Sequence, residues 1–258
     1  PWNLADWLNF DELDRLFPHI NVIVHSGAIV KTNGSVDESK MFNANVRSTL
    51  NIGKWALSRN LPMVYISGAI VYENPFALNQ DESSKTGWSG LGSFYGLTKL
   101  LSEDTVLRLR QKGLKVAIIR PTSVYGLGLP KDKLVNRFLA KAKSNDVLEI
   151  NEPINDGFDL VHASDVASFI LAVLKRSCWR TLNVSSGKSV TVRGLAEACV
   201  AIAGKGKISV KGNSLSNKRA KVLYSLDNAR GYKYLNWAPK IGIHEGLNML
   251  NRNILLPK

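Results

Sequence analysis

Two stretches that end alike decide the fold of this chain: NVIVHSGAIV at residues 21–30 and LPMVYISGAIV at residues 61–71. Each opens on a short apolar run flanked by polar or turn residues, which is how a strand buried on both faces reads. Each closes on the same five residues, Ser26-Gly27-Ala28-Ile29-Val30 and Ser67-Gly68-Ala69-Ile70-Val71. Small residues directly after a strand let a ligand come close to the backbone. In doubly wound sheets, ligands lie outside the carboxyl ends of the strands.

The neighbouring sequence supports that reading. Residues 41–59 place apolar side chains at helical spacing, and residues 95–112 form a long amphipathic helix with a stop signal at Lys112-Gly113. VAII at 116–119 is a third buried strand, closed by Arg120-Pro121. Alternating strands and helices predict an α/β fold with a parallel, doubly wound sheet. Beyond Pro121, helices are expected at 133–143, 165–175, 227–234 and 244–255. A strand is expected at 181–184, and Thr191 caps a helix over 192–203. Residues 204–221, rich in Gly, Ser, Asn and Lys, read as loops around a short strand.

The chain has 258 residues and a net charge of +13. Residues 1–130 carry a net +2 and residues 131–258 a net +11, so the basic half could attract an anionic substrate or could simply be a solvated surface. The lysines of 205–221 lack interleaved aromatics, which argues against nucleic-acid binding. No apolar run approaches the roughly 20 residues that a membrane span needs. Cys178 and Cys199 form no ligand or redox pattern, which fits a reducing, cytoplasmic setting. His19 and His244 lack partners at metal-site spacing, so no metal is expected.

Tyr95 and Lys99 lie four apart on the 95–112 helix and therefore share a face. A phenol with a pKa near 10 is a poor base at neutral pH, but a nearby ammonium stabilises its phenolate. Such a pair can exchange a proton with an alcohol or carbonyl while a nicotinamide exchanges a hydride. Alone, Tyr-x-x-x-Lys is a common helical pattern. Its company is more specific: NVIVHSGA, NVRSTLN (45–51), VYISGAIVY (64–72), SFYGLTKLLSE (93–103), RPTSVYGLG (120–128), DLVHASDVASFI (159–170), LNVSSGKSVTVRGLAE (182–197) and LDNARGYKYLNWAPK (226–240).

With these segments in this order, the chain resembles the extended short-chain dehydrogenase/reductases, the NAD-dependent epimerase/dehydratase family. The resemblance implies a Rossmann-like domain over residues 1–126, to which 159–185 returns, and a smaller substrate-binding lobe over 127–258. It implies NAD or NADP as cofactor, a nucleotide sugar as substrate, and a homodimer. Tyr95 would be the general acid/base, with Lys99 holding the nicotinamide ribose and tuning Tyr95. Ser26, Gly27 and Ala28 would line the dinucleotide, Asn45 would position it, and Pro121, Thr122 and Val124 would sit against the nicotinamide. His25 is read as a buried structural histidine. His162 and Asp165 would fix a turn and cap a helix.

The chain departs from the family pattern in three places. The family's glycine-rich phosphate loop belongs some 55–65 residues before NVIV, where about twenty residues stand here, so a preceding segment is expected. Gly68 falls where the family carries a catalytic Ser or Thr, which leaves Ser67, one place earlier, as the candidate third catalytic residue. Phe158 and Ser123 replace an Arg and an Asn that sugar-nucleotide enzymes often use. Ser123 remains a candidate substrate contact, and Arg219 would supply the diphosphate contact. The resemblance leaves open an epimerase, dehydratase or 4-keto reductase. It also leaves open an NADPH-dependent reductase of a small hydrophobic ketone or aldehyde, whose pocket Phe158, Trp88 and Phe94 could line, and a non-catalytic dinucleotide-binding protein.

Overall fold

A computed structural model describes residues 10–30, 37–74, 76–89, 93–151, 153–211 and 222–252. The chain divides into two compact units. The first comprises Pro1–Pro75, Glu82–Pro121 and Val173–Asn183; the second comprises Phe76–Asp81, Thr122–Ala172 and Val184–Lys258.

The first unit is built on the apolar runs. Strands β1 (Ile23–His25), β2 (Met63–Ile66) and β3 (Val116–Pro121) pair in parallel, with Val24 opposite Val64 and Val64 opposite Ala117. The seventh strand in chain order, β7 (Thr181–Val184), adjoins β3, so the sheet order is β1-β2-β3-β7. Every residue of β3 is buried. It runs through Arg120 and Pro121, although the sequence placed the strand's end before them. β1 begins at Ile23 and includes His25, two residues later than expected for its start.

Helices cover one face of this sheet. Leu13 of α1 (Phe10–Leu16) packs with Ile52, Trp55 and Ala56 of α3 (Ser48–Ser58). Val106 and Leu109 of α4 (Ser93–Gln111) pack with Met63, Tyr65, Val116 and Ile118 of the sheet. The helix expected at 41–59 starts earlier, as α2 (Glu38–Phe42), where the Asp37 carboxylate accepts from Ser39 N at 2.8 Å. Between α2 and α3 it makes one π turn, Asn43–Arg47, with Ser48 N donating to Asn43 O. Gly113, at φ 103°, ends α4 in the left-handed region that favours glycine.

The second unit contains strands that the sequence did not announce. β4 (Ser123–Tyr125) runs parallel to β6 (Gly157–His162), and β6 runs antiparallel to β8 (Ser189–Thr191). β5 (Val147–Asn151) pairs in parallel with β9 (Lys207–Lys211), the short strand expected within 204–221. The core joins Val135, Phe138 and Leu139 of α5 (Leu134–Lys143) to Leu148 and Ile150 of β5. Leu195 and Cys199 of α7 (Val192–Ala203) and Leu247 of α9 (Ile243–Arg252) complete it. Thr191 caps α7 as expected, accepting from Gly194 N at 3.0 Å. Helices α6 (Ala163–Lys175) and α8 (Ala229–Leu235) also lie near their expected places. Among the described residues, no helix is long and apolar enough to cross a membrane.

The second unit is packed closely enough to test with one atom. A Cβ built at Gly246 of α9 would lie 2.1 Å from Oη and 2.7 Å from Cζ of Tyr125, which is 1% exposed. Alanine is better than glycine in a helix by about 1 kcal/mol, but overpacking a rigid buried ring costs about 1–3 kcal/mol. Gly246→Ala is expected to lower the midpoint of urea unfolding. A raised midpoint would show that Tyr125 moves aside freely.

Candidate functional site

The carboxyl ends of β1 and β2 in the first unit gather most of the residues singled out in the sequence. At the end of β1, Ser26 and Gly27 are exposed and Ala28 is half-buried. Among the described residues, a Cβ added at Gly27 would meet only the His25 ring, at 3.9 Å, which leaves room among them for a ligand beside this backbone.

Asn45 fixes the shape of that turn. Its Oδ1 accepts from Ile29 N at 2.7 Å, and its Nδ2 donates to Ile29 O at 3.0 Å and Thr98 Oγ1 at 2.9 Å. The side chain thus ties the turn after β1 to α4. Asn45 sits at the centre of the π turn, whose altered carbonyl directions are met by hydroxyls: Asn45 O accepts from Thr49 Oγ1 at 2.6 Å and from Ser102 Oγ at 2.9 Å. π turns of this kind are frequent at functional sites. Because Thr49 spends its proton on Asn45 O, its 2.9 Å contact with His25 Nε2 makes that nitrogen the donor. His25 is buried as expected, and burial followed by the nearby Lys99 charge lowers its pKa to about 4.

Tyr95 and Lys99 occupy one face of α4. Lys99 is 3% exposed; its Nζ donates to Ile66 O at 2.5 Å and lies 4.6 Å from the centre of the Tyr65 ring. Burial pulls its pKa down to about 8, against an upward pull from Glu103. Tyr95 is half-buried, and burial raises its phenol above the ordinary value. The sequence led to the opposite expectation, a phenol lowered by its lysine. The difference has a physical cause: here the ammonium is turned onto the end of β2 and the Tyr65 ring.

Ser67 is buried and donates from Oγ to Glu103 Oε2 at 2.6 Å. Glu103 also receives Arg120 Nε, at 3.0 Å to Oε1, and Arg120 Nη2. Neither Glu103 nor Arg120 was singled out in the sequence as functional. The available signals were a carboxylate one helical turn after Lys99 and an arginine ending a run of four apolar residues. Gly68 has extended backbone, φ 175°, and an added Cβ would find its nearest neighbours at 3.8–4.0 Å. Pro121 is buried at the end of β3.

The remaining candidates belong to the second unit. Thr122 is buried, with its Oγ1 3.4 Å from Asp159 Oδ1, whereas Val124 is 38% exposed. Ser123 Oγ and Tyr224 Oη share a 2.6 Å hydrogen bond. His162 Nδ1 accepts from Ser164 N within its own turn, whereas Asp165, expected to cap a helix, lies inside α6 and accepts from Lys240 N and Ile241 N, so it ties α6 to the segment before α9. Phe158 packs against the unit's core, and Trp88 of the first unit is 61% exposed. Arg219 lies outside the described residues.

Several known proteins resemble this chain. The family model described as "NAD dependent epimerase/dehydratase family" matches residues 1–185. UDP-glucuronic acid decarboxylase 3 of Arabidopsis thaliana is 23% identical over 84% of this chain and 64% of its own length. UDP-glucuronate 4-epimerase of Thermodesulfobacterium geofontis (strain OPF15) is 26% identical over 98% of this chain and 80% of its own. The chain thus spans about two thirds to four fifths of these two relatives. Among solved structures, RMD from Pseudomonas aeruginosa complexed with NADPH superposes with a TM-score of 0.82 at 22% identity, covering 98% of this chain and 86% of that one. MoeE5 in complex with UDP-glucuronic acid and NAD superposes at 0.81 with 20% identity, covering 98% and 85%. These likenesses show a parallel-sheet, Rossmann-like α/β fold.

Asn45→Ala removes three hydrogen bonds, two to the part-buried backbone of Ile29 and one to the buried Thr98 hydroxyl. At about 1 kcal/mol per bond plus the cost of unsatisfied groups, the expected loss is about 2–4 kcal/mol. Urea unfolding measures it, and a loss below about 1 kcal/mol would mean that the turn after β1 holds its shape without Asn45.

Proposed function

Because this chain belongs to the NAD dependent epimerase/dehydratase family, we propose that it acts on a nucleotide-activated sugar by paired hydride and proton exchange at a ring carbon. Tyr95 carries the proton. The observation behind this reading is that the half-buried phenol shares a helix face with a buried lysine bonded to the end of β2, while the turn after β1 lies open among the described residues. The relatives' UDP-glucuronate chemistry directs the substrate proposal to UDP-sugars, UDP-glucuronate first.

The residues present fit the nicotinamide-ribose half of a dinucleotide. A buried ammonium offers three donors, of which Ile66 O takes one. The turn at Ser26, Gly27 and Ala28 has room beside it and is held in shape by Asn45. When bound, NAD or NADP supplies the hydride acceptor and donor. Lys99 would hold the ribose hydroxyls, and Pro121, Thr122 and Val124 would bound the nicotinamide. Ser123 is the proposed sugar contact, and Arg219 the proposed diphosphate contact.

Burial favours the protonated phenol of Tyr95, the form that can give a proton to a developing alkoxide. Taking a proton from a sugar hydroxyl requires the Lys99 ammonium nearby to stabilise the phenolate. Ser67 is the hydroxyl at the end of β2, and its proton is directed to Glu103, so donation to a substrate oxygen requires release from that carboxylate. The reading of a reductase for small apolar ketones finds less support, since Phe158 is used in the core.

The direct test supplies NAD or NADP with a panel of UDP-, dTDP-, GDP- and CDP-sugars. Turnover is expected with at least one UDP-sugar, and its loss by about a hundredfold or more in Tyr95→Phe. No turnover and no thermal shift across the panel would remove the sugar-nucleotide reading, and equal turnover in both proteins would remove Tyr95 from the chemistry. The pH profile has a definite sign: Lys99 is charged below its pKa, so activity should fall as pH rises through about 8. Gly68→Ser is expected to fold without a change in unfolding midpoint and to raise kcat about tenfold or more by adding a hydrogen bond to the reacting oxygen. An unchanged kcat would show that no hydroxyl is needed there.

A further inference from the structure

Lys99, Glu103 and Arg120 are charged groups with exposures of 3%, 2% and 5% inside one small unit. Burying charge is costly, and an ion pair in a core is often no more stabilising than apolar residues of similar volume. This pair is not fully satisfied, because Arg120 Nη1 is buried and meets no hydrogen-bond partner among the described residues. Stability alone therefore gives a poor account of Glu103 and Arg120, and their placement suggests another role.

Glu103 follows Lys99 by one helical turn on α4. Its carboxylate is fixed from two sides, by Arg120 at the end of β3 and by the hydroxyl of Ser67 directly after β2. The carbonyl of Ile66, one residue earlier, receives the Lys99 ammonium, and Ser67 N donates to Ile119 O at 2.7 Å. Residues 66 and 67 therefore connect to α4 by two polar contacts and to β3 by a third. Arg120 is further held over the Tyr72 ring, 4.9 Å from its centre, and Tyr72 Oη donates to Asn183 Oδ1.

We propose that Glu103, gripped by Arg120 and Ser67, is a positioning residue for Lys99. It holds the ammonium at the end of β2, on the helix face that carries Tyr95. The proposal rests on the reading of Tyr95 and Lys99 given above, and adds the group that keeps the lysine in place and charged. Apart from Glu103 and its partner Arg120, the titratable groups around Lys99 are neutral near pH 8: burial and the Lys99 charge hold His25 down at about 4, and burial raises the phenols of Tyr65 and Tyr95. Glu103 is the anion that counters the cost of burying the ammonium.

The test reads Lys99 itself in the ligand-free full chain, by following the 13Cε resonances of labelled lysine through a pH titration, with Lys99→Arg identifying the signal. The wild-type midpoint is expected near 8. In Glu103→Gln it should fall by about one pH unit or more, a tenfold loss of proton affinity. Since Glu103→Gln leaves Arg120 buried without its anion and could fail to fold, the double variant Glu103→Gln/Arg120→Met removes both charges and should also show the lower midpoint. An unchanged midpoint in either folded variant would overturn the proposal, as would a rise. Where turnover is measurable, the alkaline fall in activity should move to lower pH in parallel. A Tyr95→Phe protein that kept its activity would refute the proton-transfer role while leaving this titration equally decisive for Glu103.

Discussion

A buried lysine constrains the rest of the first unit. Desolvation favours its neutral form, so an ammonium can persist at Lys99 only if acceptors and a counter-charge are built around it. The structure supplies an acceptor from the Ile66 carbonyl, a ring face from Tyr65 and an anion from Glu103 one turn along the helix. Glu103 in turn requires Arg120, and Arg120 draws the end of β3 into the same cluster. A charge on one helix thus explains why polar residues interrupt the apolar ends of two strands.

A second constraint lies where α4 meets the helix spanning 38–58. Thr98 and Ser102 face that helix with small hydroxyls, close enough for hydrogen bonds to Asn45. The π turn directs the Asn45 side chain to the turn after β1 while its carbonyl accepts two hydroxyls. One helix therefore fixes both strand ends: through Asn45 at β1, and through Lys99 and Glu103 at β2. The two repeats, Ser26–Val30 and Ser67–Val71, differ accordingly. The first lies open, whereas the Ser67 hydroxyl of the second is bound within the polar cluster.

The parts of the fold that were legible in the sequence are those where burial is nearly complete. VAII and MVYI can only be interior strands, and Thr191 before an apolar-periodic segment can hardly be anything but a cap. β5 was missed because Val147–Asn151 alternates exposed and buried residues over only five positions, too few to separate from a loop. β4 and β8, with three residues each, gain their hydrogen bonds from β6 and carry little local preference. The π turn left no mark because NANVR is ordinary helix sequence; it depends on contacts with Thr98 and Ser102, more than fifty residues away. Tyr95 and Lys99 were legible as a motif. The ammonium's direction was not, because Ile66 O and Glu103 determine it through the tertiary structure.

The central claim is that Tyr95 and Lys99 form a working proton-transfer pair beside a nicotinamide. The most direct measurement mixes the NAD-loaded full chain with UDP-glucuronate in a single turnover and follows the near-ultraviolet absorbance of reduced nicotinamide. The account predicts a transient rise in the wild type that is absent in Tyr95→Phe. A rise of equal size and rate in both proteins would contradict it.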